Sequence, residues 1–145
     1  MIGLIQRVKH ASVMVNSTTV GKIQQGILLF LAVEKNDNEG KAEKLCNKVL
    51  NYRIFADDDS KMNLNLKQVG GELLVVSQFT LLADTKKGNR PGFSSAASPA
   101  LGRDIYECFI KFAKQREVPV ESGEYGADMQ VSLLNDGPAT FLLKV

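Results

Sequence analysis

The chain has 145 residues, of which 44% are hydrophobic and 23% are charged. These proportions are typical of a folded globular protein and exclude the bias of disordered or fibrous chains. Because 18 lysines and arginines face 16 aspartates and glutamates, the net charge of +2 excludes a strong global field for nucleic acid, so any RNA contact depends on local patches.

The length fits one domain over residues 1–145, with no linker or internal repeat to divide it. The longest apolar run, residues 27–33, is too short to cross a bilayer as a helix, and residues 1–8 lack the pattern of a cleaved leader. We therefore expect a cytoplasmic protein without a membrane span. Cys46 and Cys108 fit buried free thiols in a reducing compartment.

The first third of the chain has the pattern of strands. Residues 2–8 and 11–15 carry apolar residues at strand positions and predict a first hairpin, with His10 in its turn. The run 27–33 is fully apolar and predicts a central strand covered on both faces.

Helical spacing then alternates with further strands. Residues 38–51 predict a helix capped by Asp37 or Asn38. Residues 72–76 predict another strand, and the Ser-Pro pair at 98–99 predicts the start of a second helix that ends near residue 116.

The last segments are alternating strands on either side of Asn-Asp-Gly-Pro. Residues 128–134 and 139–145 alternate between apolar and polar positions. Together the elements predict an α+β fold with two helices and a mostly antiparallel sheet, closed as a barrel-like structure.

Few residues are available for the usual catalytic or metal sites. His10 is the only histidine, and the two cysteines lack metal-ligand spacing, so we expect neither a metal nor a cofactor. A Ser-His-Asp triad has little support, because nothing links His10 to Ser77 or Thr80.

The segment Ser-Gln-Phe-Thr at 77–80 begins where a buried strand is expected to end. Its backbone N–H groups, together with the amide of Gln78 and the hydroxyls of Ser77 and Thr80, can bind an oxyanion. The alternative is a polar strand exit whose hydrogen bonds are satisfied locally.

Two further segments have both a structural and a functional interpretation. Asn-Asp-Gly-Pro at 135–138 fits a hairpin turn, or a cis bond at Gly137-Pro138 that orients two carbonyls in parallel. The loop 86–95 holds Lys86, Lys87 and Arg90, and is either a solvated surface loop or a grip for phosphates.

Taken together, these segments resemble one family, the D-aminoacyl-tRNA deacylases, over nearly the whole chain. The matching segments, in order, are Gln-Arg-Val at 6–8, Ser-Gln-Phe-Thr-Leu at 77–81, Lys-Gly-Asn-Arg-Pro at 87–91 and Asn-Asp-Gly-Pro-Ala-Thr at 135–140. Where the family often has valine, this chain has Ala139.

The resemblance implies a homodimer that hydrolyses the ester between a D-amino acid, or glycine mischarged on tRNA(Ala), and the terminal adenosine of tRNA. Ser77, Gln78, Phe79 and Thr80 would line the pocket, with the Phe79 N–H as oxyanion donor. In this resemblance Gly137-Pro138 is cis and enters the partner subunit's pocket to reject L-amino acids, and Arg7 holds that motif.

The resemblance also fits the lack of a triad, since a ribose hydroxyl of the substrate can assist the reaction. Thr80 as a covalent nucleophile is an alternative. Two other functions stay open at this point: a non-catalytic module that binds RNA 3′ ends, and a related deacylase with a trans Gly-Pro bond that acts on L-aminoacyl-tRNA.

Overall fold

The structure is a computed structural model that describes residues 1–86 and 88–145, so the predicted RNA-contact residue Lys87 lies outside the described residues. Within them lie two α-helices, eight strands and one short 3-10 helix. In chain order these are β1 (Ile2–Val15), β2 (Thr18–Ile23), β3 (Gly26–Ala32), α1 (Glu39–Asn51), β4 (Phe55–Ala56), β5 (Met62–Leu64), β6 (Glu72–Ser77), the 3-10 helix (Phe79–Leu82), α2 (Pro99–Lys114), β7 (Val120–Ser122) and β8 (Gln130–Lys144).

Six of the strands form one sheet in the order β2-β1-β3-β6-β7, with β8 on the other side of β1. β1 is antiparallel to β2, β3 and β8, whereas β6 is parallel to β3 and β7. β2 and β7 approach closely, since a Cβ atom on Gly21 would lie 2.7 Å from the Ser122 carbonyl oxygen. The predicted α+β fold, with a mostly antiparallel, barrel-like sheet, is confirmed.

The first hairpin differs from the prediction. β1 is one strand of 14 residues, and its turn is formed by Asn16 and Ser17, whose φ angles are 48° and 64°. His10 therefore lies inside β1, opposite Leu134, and not in a turn. The polar pair at 9–10 suggested a break, but both residues are exposed, and a strand tolerates polar side chains there.

β8 also differs, because residues 128–134 and 139–145 do not form the two arms of a hairpin. Gln130–Lys144 is one strand whose two halves both pair antiparallel with β1. Between them, Gln6 pairs with Thr140 and Val8 pairs with Asn135, so the four residues 136–139 lie opposite Arg7 alone. The segment is an enlarged bulge within a strand, and such bulges are frequent beside functional sites.

The core has two parts, one on each face of the sheet. On one face α1 and α2 pack over β1, β3 and β6, and on the other face a smaller cluster fills the barrel interior. The predicted helices are confirmed with their caps: Asn38 Oδ1 accepts from the Lys41 N–H at 3.0 Å, and Ser98 Oγ accepts from the Leu101 N–H at 3.4 Å. Neither helix of the described chain is long and apolar enough to span a membrane.

Candidate active site

The candidate site begins where β6 ends. The N–H of Gln78 still donates to the Leu31 carbonyl of β3 at 2.8 Å, and the chain then turns into the 3-10 helix. Leu81 is the first residue of this turn whose N–H is bonded, to the Gln78 carbonyl at 3.2 Å. Among the described residues, no acceptor engages the N–H groups of Phe79 and Thr80.

The side chains at this strand end are all at least partly exposed, and all but Phe79 are polar. Gln78 Nε2 donates to Thr80 Oγ1, and the Thr80 side chain is exposed. The Phe79 ring is 57% exposed and packs edge-on against Phe93, with 4.9 Å between ring centroids. The group beside the Thr80 hydroxyl is therefore an amide, and an amide cannot act as a base at neutral pH.

A cavity of about 510 Å³ opens beside this strand end. It runs between the sheet, the start of α2 and the segment that precedes β8. Most of the residues that line it are apolar. Its lining includes the predicted residues Ser77, Gln78 and Phe79, but not Thr80. The other lining residues are Leu31, Val33, Val76, Ala96, Ala97, Pro99, Gly102, Tyr106, Tyr125, Gly126, Ala127, Asp128, Met129 and Val131.

The second predicted part of the site is the bulge of β8. The Gly137-Pro138 peptide bond is cis, and both residues are exposed. Neither lines the cavity of its own chain. The structure of one chain thus brings Ser77, Gln78 and Phe79 together and leaves Gly137 and Pro138 outside that group.

Arg7 holds the bulge from the opposite strand. Its Nε donates to the Asp136 carbonyl at 3.0 Å and lies 3.2 Å from the Asp136 carboxylate, while Nη1 donates to the Ile54 carbonyl. The side chain is only 13% exposed. Asn135 Nδ2 donates to the Arg7 carbonyl at 2.9 Å, so β1 and the bulge hold each other at two points.

Comparison with known proteins decides the family. The model of the family described as "D-Tyr-tRNA(Tyr) deacylase" matches residues 4–144. Proteins named D-aminoacyl-tRNA deacylase from Pseudoalteromonas atlantica and Haemophilus influenzae strain 86-028NP are 66% and 60% identical, each over 100% of both chains. The chain belongs to the D-aminoacyl-tRNA deacylase family.

Two solved structures resemble the deacylase fold of this chain. One, described as "c-Myc DNA Unwinding Element Binding Protein", has a TM-score of 0.94 and 34% identity, and the match covers 100% of this chain and 99% of that one. The other, "Structural Analysis of a probable eukaryotic D-amino acid tRNA deacylase", has a TM-score of 0.84 and 17% identity, with 99% and 98% covered. The latter supports the fold alone.

Membership in the deacylase family makes the chain an enzyme, a hydrolase of D-aminoacyl-tRNA. The prediction of the family and of its enzymatic activity is therefore confirmed. The interpretation as a non-catalytic RNA-binding module is not supported, since the relatives that match the whole chain are named as deacylases.

Several residues of the deacylase cavity were missed from the sequence. Tyr106 and Tyr125 have ring centroids 5.5 Å apart, and the buried Tyr106 hydroxyl donates to the Val75 carbonyl at 2.9 Å. Burial raises the pKa of Tyr106 far above its usual value, so this phenol is neutral. Asp128 also lines the cavity. The signal available was a run of glycine, aromatic and acidic residues at 123–128, which a loop explains equally well.

The basic loop connects to the site through an aromatic contact. Phe93, which packs on Phe79, lies at its far end, and the loop closes by a bridge between Asp84 and Gly92. Lys86 and Arg90 are exposed, and the Lys86 N–H donates to Asp84 Oδ1 at 3.0 Å. Over residues 1–86 and 88–145, no cluster of three or more acidic, histidine or cysteine side chains could hold a metal.

Proposed function

We propose that this deacylase hydrolyses D-aminoacyl-tRNA, and glycyl-tRNA mischarged on tRNA(Ala), by stabilising charge with its backbone while the substrate supplies part of the chemistry. The products are a free amino acid and a tRNA with an intact 3′ end. We place this activity in the cytoplasm, where charged tRNA is used.

The observation that carries the proposal is the pair of N–H groups of Phe79 and Thr80 that have no acceptor in the described chain. They begin the turn at the rim of a cavity that Ser77, Gln78 and Phe79 line. Fixed donors of this kind stabilise the negative charge that develops on an ester carbonyl oxygen when water attacks. We assign the main donor role to Phe79 N–H, with Thr80 beside it.

The ester itself supports a mechanism without a side-chain base. Water adds to the carbonyl carbon, the bond to the ribose oxygen breaks, and that oxygen takes up a proton as it leaves. The vicinal ribose hydroxyl lies next to the reacting bond and can pass this proton, so the protein contributes mainly orientation and charge stabilisation. Ser77 and Gln78 are assigned to substrate binding.

A homodimer would complete this site. Cα partners across β3, β1 and β8 put Phe30, Leu4 and Leu142 in one row, where directly opposed side chains share a face of the sheet. Leu142 is 54% exposed, and Leu4 and Phe30 are half-buried. A partly exposed apolar row near the exposed bulge is suited to a second copy of the chain.

In that dimer, Gly137 and Pro138 of one subunit would enter the cavity of the other and select the stereoisomer. An L side chain would strike their backbone carbonyls, whereas a D side chain would point away and glycine has nothing to exclude. Arg7 would keep the bulge in place through its bonds to Asp136.

The dimer can be tested separately from the chemistry. Leu142→Glu introduces a charge into the apolar row and should shift the sedimentation coefficient from dimer to monomer. Val20→Glu changes a residue of β2 that is 38% exposed and serves as the control. A wild-type protein that sediments as a monomer at all concentrations would refute the shared site.

The loop residues Lys86, Lys87 and Arg90 are assigned to RNA phosphates, because cations on a loop beside the site can hold the tRNA acceptor end. Neutralising Lys86 and Arg90 together should weaken tRNA binding more at low salt than at high salt.

One assay tests the whole proposal: release of free amino acid from a D-aminoacyl-tRNA, its L counterpart and glycyl-tRNA(Ala). We expect rapid release from the D and glycyl substrates and little from the L substrate. Comparable rates on the D and L forms would overturn the proposed selectivity. That result would favour the alternative of a deacylase that acts on L-aminoacyl-tRNA. Release from none would leave only RNA binding.

A further inference from the structure

We propose that Arg103 is a substrate-positioning residue that binds the phosphate preceding the terminal nucleoside of tRNA. This inference rests on the proposed function, because it takes the cavity beside Ser77–Phe79 as the place of the aminoacylated nucleoside. It adds a contact for the RNA chain where it leaves that cavity.

Arg103 does not itself line the cavity but lies next to two residues that do. Gly102, the preceding residue of α2, lines the cavity, as does Tyr125. The Arg103 guanidinium carbon lies 5.3 Å from the centroid of the Tyr125 ring, and Arg103 is exposed. A cation on the face of an aromatic ring is held in orientation, while its N–H groups stay available to an acceptor in the plane of the guanidinium.

Tyr125 packs closely against α2 because Gly102 has no side chain. A Cβ atom there would lie 2.2 Å from the Tyr125 hydroxyl oxygen. The ring also packs on Tyr106, with 5.5 Å between centroids, and Tyr106 is anchored to the Val75 carbonyl. Arg103 therefore stacks on a ring that the protein interior positions.

The other described arginines, except for Arg90 in the loop, already donate hydrogen bonds within the chain. Arg7 binds Asp136, Arg116 binds Glu43 at 3.0 Å, and Arg53 donates to the Asn63 carbonyl. In the described part of the chain, no carboxylate lies within 4.0 Å of Arg103. Its guanidinium can therefore take a phosphate bidentately without losing a partner.

The size of the cavity indicates where that phosphate must be. A volume of about 510 Å³ is in the range of pockets for single small ligands, which suits one nucleoside with its amino acid. The phosphodiester that connects it to the rest of the RNA has to emerge at the rim. Asp128 also lines the cavity, and a cation at the rim would offset the repulsion between its carboxylate and that phosphate.

Two substrates separate a phosphate contact from a structural role: D-tyrosyl-tRNA(Tyr), and D-tyrosyl-adenosine, which has the same ester but no phosphate. Arg103→Ala should raise KM for the tRNA about tenfold, equivalent to about 1.4 kcal/mol, with kcat within about twofold. KM for D-tyrosyl-adenosine should be unchanged. The slope of log KM against log salt concentration should fall by the amount expected for the loss of about one phosphate contact.

Matched variants complete the experiment. Arg103→Lys keeps the charge but loses the bidentate geometry, so it should fall between wild type and Arg103→Ala. Lys111→Ala removes an exposed cation of α2, about 12 Å further along the helix, and should change neither substrate. An equal loss on both substrates, or no loss on the tRNA, would overturn the inference.

Failure of the proposed function would give a different result. The wild-type protein would then cleave neither substrate, and binding of uncharged tRNA would decide the role of Arg103 by itself. Weaker tRNA binding by Arg103→Ala than by Lys111→Ala would retain the phosphate contact, and equal binding would refute it.

Discussion

Arg7 and Asp136 connect the two long strands of the barrel: the Arg7 Nε atom lies 3.0 Å from the Asp136 carbonyl oxygen and 3.2 Å from its carboxylate. The same guanidinium also donates to the Ile54 carbonyl. One nearly buried side chain thus fixes the base of the bulge that carries Gly137 and Pro138.

Arg7→Lys should loosen this bulge, because an ammonium cannot reproduce the planar set of donors that the guanidinium directs at Asp136 and Ile54. We expect the ratio of D to L rates to fall at least tenfold, with a smaller change in the D rate itself. Lys9→Ala is the control, since Lys9 also lies near the Asp136 carboxylate, at 3.3 Å, but is 56% exposed. Unaltered selectivity in Arg7→Lys would show that the bulge does not select the stereoisomer.

Thr80→Ala tests whether a hydroxyl nucleophile is needed. The variant keeps the backbone N–H and removes the Oγ1 that accepts from Gln78, together with the side-chain methyl group. The backbone mechanism predicts a kcat within about tenfold of wild type, whereas loss of a nucleophile costs orders of magnitude. A rate at background level, with tRNA binding retained, would favour Thr80 as nucleophile.

Asp128→Asn tests the one carboxylate among the residues that line the cavity. If the substrate hydroxyl and backbone donors carry the reaction, kcat should change less than about tenfold, since general base catalysis is worth about 10² to 10⁴. A loss in that larger range, with the loss of an ionisation from the pH-rate profile, would make Asp128 the base.

Gly102→Ala should separate stability from substrate binding. Alanine favours a helix interior by about 1 kcal/mol over glycine, and this gain opposes the cost of displacing Tyr125, so the free energy of unfolding should change little. The new methyl group would displace the Tyr125 hydroxyl, from which it would be 2.2 Å away, and KM should increase. Gly102→Ala combined with Tyr125→Phe, which removes the clashing oxygen, should recover part of that loss.

Asp37 predicts a pH-dependent stability. Burial opposes its ionisation, but hydrogen bonds from the Glu34 N–H, the Lys41 ammonium and the terminal amino group hold the pKa of Asp37 below its usual value of 3.8. Because the folded pKa is the lower one, the stabilisation is present above about pH 4 and is lost as the pH falls through the folded value.

Asp37→Asn should therefore lower the free energy of unfolding by about 2 to 4 kcal/mol at pH 7. The gap between the variant and wild type should narrow as the pH falls below about 4. Urea denaturation at pH 7 and pH 3 measures both values. A gap that stays constant with pH would mean that the charge of Asp37 does not contribute.

The parts of the fold predicted correctly are those whose signal is local. Both helices have their apolar spacing and a capping side chain within the segment, at Asn38 and Ser98. The central strand is apolar throughout. For β1 and for β8 the sequence pattern predicts two shorter strands, because exposed polar residues interrupt the alternation. Each strand is continuous because it pairs with distant strands, and that pairing leaves no signal in the local sequence.

The site divides in the same way. The family resemblance predicts Ser77, Gln78 and Phe79 as pocket residues, and all three line one cavity, while their roles stay a prediction. Tyr106 and Tyr125 line that cavity from α2 and from the segment before β8, and their approach depends on Gly102 having no side chain. Such a steric requirement appears only when three separate segments are in place.

The continuity of β8 has a consequence for how this enzyme family can vary. A hairpin tip can change register when residues are added, but residues 136–139 are held at both ends by pairing with the same strand, at Gln6 and Val8. An insertion there would lengthen the protrusion and leave the barrel unaltered. The distance that the segment protrudes from the barrel is thus adjustable independently of the scaffold that supports it.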